Sequence, residues 1–321
     1  MDDSRDFAPA PPPRVREGRT RPWLHFSLVG ITLLSTMMIG AQNAGFYPEA
    51  ILADPTLFLT GLPYAISILT ILTFHEMGHY LAARYHGVRA TWPFYIPLPI
   101  PYLFHFGTMG AFIKIRSMMP NRNALMDIAV AGPLAGLVAS LAVLFIGYGQ
   151  IGGLEEVVAH VERIHPWPSE GLNGLTLGSS LLFSAFNEGL GGGLIPMNEI
   201  YHFPLLFAGW TGFFVTAMNL FLIGQLDGGH VIYALTGRNS RWVSILNYGG
   251  LIALSAWLYW QHGSNGLVWT LWMVLLLVIG LGHPPTRDDS LPLSRWRAAL
   301  GWLCILIFFL CFIPLPVYFI D

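Results

Sequence analysis

Seven apolar stretches, at 23–43, 57–83, 124–149, 204–224, 243–261, 266–282 and 297–317, set what this chain can fold into. Each comes near the length of about 20 residues that a helix needs to cross a bilayer. In hydrocarbon every backbone polar group must find its partner within the protein, so such stretches fold as helices. The sixth is short, and the expectation is six to seven transmembrane helices. Only 11% of the 321 residues are charged, against about 25% in a soluble domain. The expected fold class is an all-α polytopic membrane protein. A net charge of −2 offers nothing to nucleic acid. Cys304 and Cys311, seven apart in one apolar stretch, make neither a disulfide framework nor a thiolate metal site.

Charge placement orients the stretches. With a cytoplasmic N-terminus and seven crossings, fifteen of the 16 Lys and Arg fall on inner segments, and only Arg163 lies outside. That asymmetry is the positive-inside pattern. Residues 1–22, with Pro9, Pro11, Pro12, Pro13 and five arginines, read as a disordered cytoplasmic tail. Between the second and third stretches, Trp92–Phe104 carries four prolines within nine residues, which forbids a regular helix and predicts a re-entrant or interfacial segment. Just after it, Ala111, Ile113 and Ile115 alternate with Phe112, Lys114 and Arg116, the period of a strand. Residues 150–203 read as an outer loop.

Chemistry concentrates in the second stretch. His75-Glu76-Met77-Gly78-His79 puts two imidazoles on one helix face, one turn apart, with a carboxylate beside them. Three ionisable groups in an apolar run are costly unless they serve a site. The pattern can hold zinc and a water, with Glu76 as proton acceptor. A catalytic zinc takes three protein ligands and an open position. Asp227, in Leu226-Asp227-Gly228-Gly229-His230, is the best third ligand, because the second and fourth stretches both run inward and reach one depth near the cytosolic leaflet. Asp127 is the competing acid; near the start of the third stretch it reads instead as a carboxylate complementing a helix N-terminus. Asn219 is open to two readings: a hydrogen-bond donor to a peptide or oxyanion, or a tie between spans. Gly132, Pro133 and Gly136 permit close helix packing or a kink. His230 and His283, like His86, His105 and His202, read as structural histidines.

Taken together these motifs resemble the site-2 proteases, intramembrane zinc metalloproteases. The resemblance covers most of residues 57–240. It rests on His75–His79, on Gly107-Thr-Met-Gly110 with the following strand, on Asp127 through Gly136, and on Asn219 through His230. Gly282-His283-Pro284-Pro285 looks like the branch shared by bacteria and chloroplasts. The resemblance implies one Zn2+ per chain held by His75, His79 and Asp227, with Glu76 as catalytic base. It also implies that Asn219 helps position substrate; the alternation over Ala111–Ile115 separately suggests edge addition of an extended substrate chain, which makes Gly107, Gly110, Ala111 and Ile113 candidate substrate-binding or supporting residues. The resemblance also implies a domain order: the tail 1–22, then a transmembrane protease domain over 23–321, with a catalytic core at about 57–240 and extra C-terminal spans at about 243–317. Two features depart from the family pattern. No proline stands between Asn219 and Asp227, so Gly224 takes the helix-breaking role, and 150–203 is too short for a PDZ module.

The implied activity is hydrolysis of peptide bonds in or near transmembrane segments of substrate proteins, in regulated intramembrane proteolysis. The alternative is a non-catalytic membrane protein that binds clients. A metal transporter would need a polar file across the bilayer, whereas the outer halves of the stretches are apolar. Expected partners are transmembrane proteins and lipid, not nucleic acid; oligomeric state is open. The expected location is a bacterial cell (inner) membrane, with N-terminus and active site toward the cytoplasm.

Overall fold

The computed structural model describes residues 22–100, 105–164 and 174–319. The proposed tail, apart from Pro22, lies outside the described residues, as does the stretch 101–104. The chain is mostly helical. Helix α1 (Pro22–Asn43) is followed by the short α2 (Pro48–Ala53) and by α3 (Leu62–Tyr85). A 3-10 turn at Pro55–Gly61 leads into α3, capped by Asp54, whose side chain accepts from the Thr56 backbone at 3.0 Å.

Strands β1 (Phe94–Pro97) and β2 (Thr108–Phe112) then form an antiparallel pair, Phe94 opposite Phe112 and Tyr95 opposite Ala111. The strand expected from the alternation at 111–116 therefore begins three residues earlier; beyond Phe112 the pairing continues only as an isolated bridge between Ala90 and Ile115. Proline explains the limit on the other side, since it has no N–H to give the ladder, and the register slips between Tyr95 and Pro97. Part of the proline-rich segment is thus an edge strand. It is held to the helices by polar contacts: the Ser35 hydroxyl donates to the Gly107 carbonyl at 2.6 Å, Tyr64 donates to the Phe106 carbonyl at 3.0 Å, and the Thr73 and Tyr95 hydroxyls meet at 2.6 Å.

Helix α4 (Arg122–Gly149) is capped by Asn121, which accepts from the Ala124 backbone at 2.9 Å. The expected outer loop is partly structured: it contains α5 (Leu154–Ile164), β3 (Leu175–Leu177) and α6 (Leu181–Gly189). Then come α7 (Pro204–Asn219), α8 (Asp227–Thr236), α9 (Ser240–His262), α10 (Thr270–Ile279), α11 (Arg295–Cys311) and β4 (Val317–Phe319), which pairs antiparallel with β3.

Among the described residues, four helical runs are long and apolar enough to cross a membrane: Pro22–Asn43, Pro55–Tyr85, Arg122–Gly149 and Asp227–Ile279. This is fewer than six to seven, for two reasons. Helices α7 and α11 have 16 and 17 residues, just short of a full span. The run Asp227–Ile279 is also several helices in series, broken at Gly237 and Gly263, whose φ angles are +62° and +57°. The main core cluster is built on Ile68, Ile71, Leu125, Met126, Phe207, Trp210 and Phe213, and a smaller one joins Ala83, Val88 and Ile128. Trp, Leu and Phe side chains of α9, α10 and α11, such as Trp260, Leu271 and Phe309, point outward, as lipid-facing surfaces require.

Candidate metal centre

The site is assembled where α3, α4 and the α7–α8 break meet. Helix α3 carries His75, Glu76 and His79, all buried. Helix α7 stops at Asn219, five residues before Gly224, so the break comes earlier than the sequence predicts. Residues 220–226 then fold back over the first turn of α8. Gly224 sits in the turn at φ +57°. A Cβ on Gly228 would stand 2.1 Å from the Leu220 carbonyl oxygen, and one on Gly229 would stand 2.3 Å from that of Gly224. The Gly228-Gly229 pair is what lets this fold-back close, and closure delivers Asp227 to the first position of α8. There its carboxylate also faces the positive end of the helix dipole.

His75, His79 and Asp227 converge, their ligand atoms all lying within 4.8 Å of one another. His79 Nε2 is 3.1 Å from His75 Nε2 and 3.2 Å from Asp227 Oδ2, and His75 Nε2 is 3.4 Å from the same oxygen. Donors bound to zinc at about 2.0–2.1 Å in a tetrahedron stand about 3.3 Å apart. The three separations match that edge length. Tautomer chemistry agrees: His79 Nδ1 is 2.7 Å from the Ile128 carbonyl oxygen, which can only accept. Nδ1 therefore carries the proton, and Nε2 turns its lone pair to the carboxylate, an arrangement that calls for a cation. These residues fit a zinc ion.

Helix α4 makes the room. A Cβ on Gly132 would lie 2.1 Å from His79 Nε2, and one on Gly136 would lie 3.1 Å from His75 Nδ1. The glycines that the sequence offers as general packing residues are specific clearances for the two imidazoles.

A cavity of about 230 Å³ opens on this cluster. Glu76, Ala111, Ile113, Asn219 and His230 are among the residues lining it. Ile113, the residue after β2, lines the same cavity as Glu76, which brings the β2 segment to the site. Asn219 Nδ2 lies 3.2 Å from His75 Nε2, at the metal cluster itself. Gly107 and Gly110 are not among the lining residues. Gly107, at φ +75°, packs on α1, where a Cβ would meet the Thr36 Cα at 2.7 Å; its part is to seat the hairpin.

Asp127 is not a ligand, and neither is it a helix-terminus complement: it is the sixth residue of α4. Arg297 of α11 grips it with both arms, Nε to Oδ1 and Nη2 to Oδ2 each at 2.8 Å, and His86 Nε2 meets Oδ2 at 2.8 Å. Sequence reasoning missed this clasp between α4, α11 and the end of α3, because nothing local links positions 170 residues apart.

Residues 63–256 match the profile of Peptidase family M50. The chain belongs to this family. Curated relatives agree. The probable zinc metalloprotease EGY1, chloroplastic, of Oryza sativa subsp. japonica is 30% identical over 256 residues, 80% of this chain and 41% of the relative. Its Arabidopsis thaliana namesake is 30% identical over 253 residues, 79% and 43% of the two chains. The probable zinc metalloprotease EGY2, chloroplastic, of Arabidopsis thaliana is 26% identical over 330 residues, 99% and 54%. The chain therefore spans about half the length of these relatives or less. Their chloroplastic names conflict with the expected bacterial cell membrane; the coarser reading, a membrane protein, rests on the long apolar helices. No solved structure matches the chain.

Proposed function

We propose that this chain is an intramembrane zinc metalloprotease that cuts peptide bonds in or near transmembrane segments of other membrane proteins, in regulated intramembrane proteolysis. The observation that carries this reading is the convergence of His75 and His79 with Asp227, which lies 148 residues beyond His79, beside the buried Glu76 carboxyl on one cavity. Zinc, held by His75, His79 and Asp227, would lower the pKa of water toward about 7 and act as a Lewis acid for the scissile carbonyl.

The chain's own residues do the rest. Glu76 takes the proton of the attacking water and returns it to the leaving amine. Its carboxyl is buried and lines the cavity that also holds the three ligands. Asn219, held at the metal cluster, presents an amide where negative charge develops on the substrate carbonyl oxygen. Substrate enters extended: among the described residues β2 is paired on one edge only, with β1, and strand addition along Ala111–Ile113 brings a peptide backbone over the cavity. A substrate helix must unwind locally to do this.

We further read the chain as crossing the membrane seven times, with the N-terminus and active site toward the cytoplasmic side and a catalytic core near 57–240. Two contacts support this topology. Strand β3, in the segment after α4, pairs with β4 after α11, so both belong on one face. The segment between α10 and α11 lies against the turn before α4, with Arg287 N donating to the Met119 carbonyl at 2.9 Å, on the other face. The deciding experiment is Glu76→Gln in the full chain with a transmembrane test peptide. One zinc per chain with no cleavage is expected. Retained cleavage at normal zinc content removes Glu76 as the base.

A further inference from the structure

His230 and His283 look like isolated histidines in the sequence and are partners in the fold. His230 Nδ1 stands 2.6 Å from His283 Nε2, the rings edge to face with centroids 4.8 Å apart. His283 Nδ1 in turn stands 2.6 Å from the Pro284 carbonyl oxygen. That carbonyl can only accept, so His283 Nδ1 must carry a proton. In the neutral ring, His283 Nε2 is then an acceptor, and His230 Nδ1 must be the donor. One proton position fixes the next, and the chain ends at His230 Nε2 as a bare lone pair. His230 lines the cavity that holds Glu76 and the three ligands, and its Nδ1 is turned away to His283. Nε2 is the ring nitrogen left for the cavity.

The surrounding groups hold this wire in place. The His283 ring stacks on Tyr233 at 4.2 Å with planes 20° apart. Tyr233 donates to Asp289 Oδ2 and Thr286 to Asp289 Oδ1, each at 2.6 Å. Pro285 restricts Pro284 to an extended backbone and brings no N–H of its own, so the Pro284 carbonyl keeps one orientation. The Gly282-His283-Pro284-Pro285 segment thus reaches the cavity from the C-terminal helices through one imidazole pair.

We propose that His230 is a substrate-contacting residue whose Nε2 accepts a hydrogen bond from a backbone N–H of the extended substrate chain, and that His283 is the positioning residue that fixes its tautomer. The other polar side chains that line the cavity are Glu76, assigned to proton transfer, His75, His79 and Asp227, assigned to the metal, Asn219, assigned to the carbonyl side of the substrate, and Gln225, an exposed residue of the turn before α8. A peptide backbone presents N–H groups as well as carbonyls, and strand addition pairs only every second residue with β2. His230 Nε2 is the acceptor for an N–H facing the other way. This assignment rests on the protease reading of the cavity.

The test uses the zinc-loaded full chain in lipid nanodiscs. In the Glu76→Gln background, a transmembrane test peptide binds without being cut. Adding His230→Ala should weaken binding about five- to tenfold, as expected for one lost hydrogen bond, with zinc content unchanged. His230→Gln can present a carbonyl oxygen near the Nε2 position and should regain most of the affinity, whereas His230→Lys, a donor only, should not. Long-range 15N–1H spectra of 15N-histidine samples should show His230 protonated at Nδ1, and a mixture of tautomers in His283→Ala. Parent binding with unchanged affinity in His230→Ala, equal affinities for the Gln and Lys variants, or an Nε2-protonated His230 would overturn the assignment alone. Absence of peptide binding by the Glu76→Gln parent would overturn it together with the protease reading.

Discussion

Gly132 of α4 faces His79 of α3 so closely that a Cβ would stand 2.1 Å from Nε2. The same contact sets the spacing of the helices and the position of a metal ligand. Gly132→Ala must push the imidazole off its axis or part the helices, an overpacking cost of about 1–3 kcal/mol. The expected result is a chain that purifies with well under one zinc, while Gly136→Ala, with 3.1 Å to His75 Nδ1, retains most of it. Metal analysis of the two variants side by side checks this; full zinc in Gly132→Ala would contradict it.

Asp227 and Asp127 are expected to fail in different ways. Asp227→Asn removes a ligand charge and should lower zinc occupancy with little change in unfolding temperature of the metal-free chain. Asp127→Asn, like Arg297→Ala, opens the paired guanidinium–carboxylate contact between α4 and α11. It should cost about 1.5–3 kcal/mol of stability while zinc binding persists. Metal titration and thermal unfolding in detergent separate the two effects, and loss of zinc in Asp127→Asn at full stability would refute the division.

Ile113→Pro is predicted to cut turnover strongly at normal zinc content. It removes a backbone N–H donor on the strand segment proposed to receive substrate, beside the cavity that Glu76 lines. Cleavage rates with zinc measured on the same sample decide it, and unchanged turnover rules out strand addition there.

The seven-crossing topology predicts which positions share a face. Glu155→Cys and Ser264→Cys should react with an impermeant maleimide from one side of sealed vesicles, and Arg241→Cys only from the other. The native Cys304 and Cys311 are buried and leave a low background. Labelling of Arg241→Cys and Glu155→Cys from the same side would break the arrangement.

Much of this site is legible in the chain because it is local. Helical geometry alone puts His75, Glu76 and His79 on adjoining positions of one face, and an aspartate at the end of another apolar stretch points to the third ligand. Apolar length and the arginine pattern carry the membrane reading in the same way, since bilayer thickness acts on each segment separately. The tertiary structure alone decided the relations between segments. The clearance of Gly132 for His79, the grip of Arg297 on Asp127, the pairing of His230 with His283 and the placement of Gly107 on α1 all join residues far apart in sequence. The helix break at Asn219 also depended on the fold, because the turn closes on the backbone of the following helix through Gly228 and Gly229. Periodicity and span length report how one segment meets its solvent; they carry no information on which atoms of two segments compete for the same few ångströms.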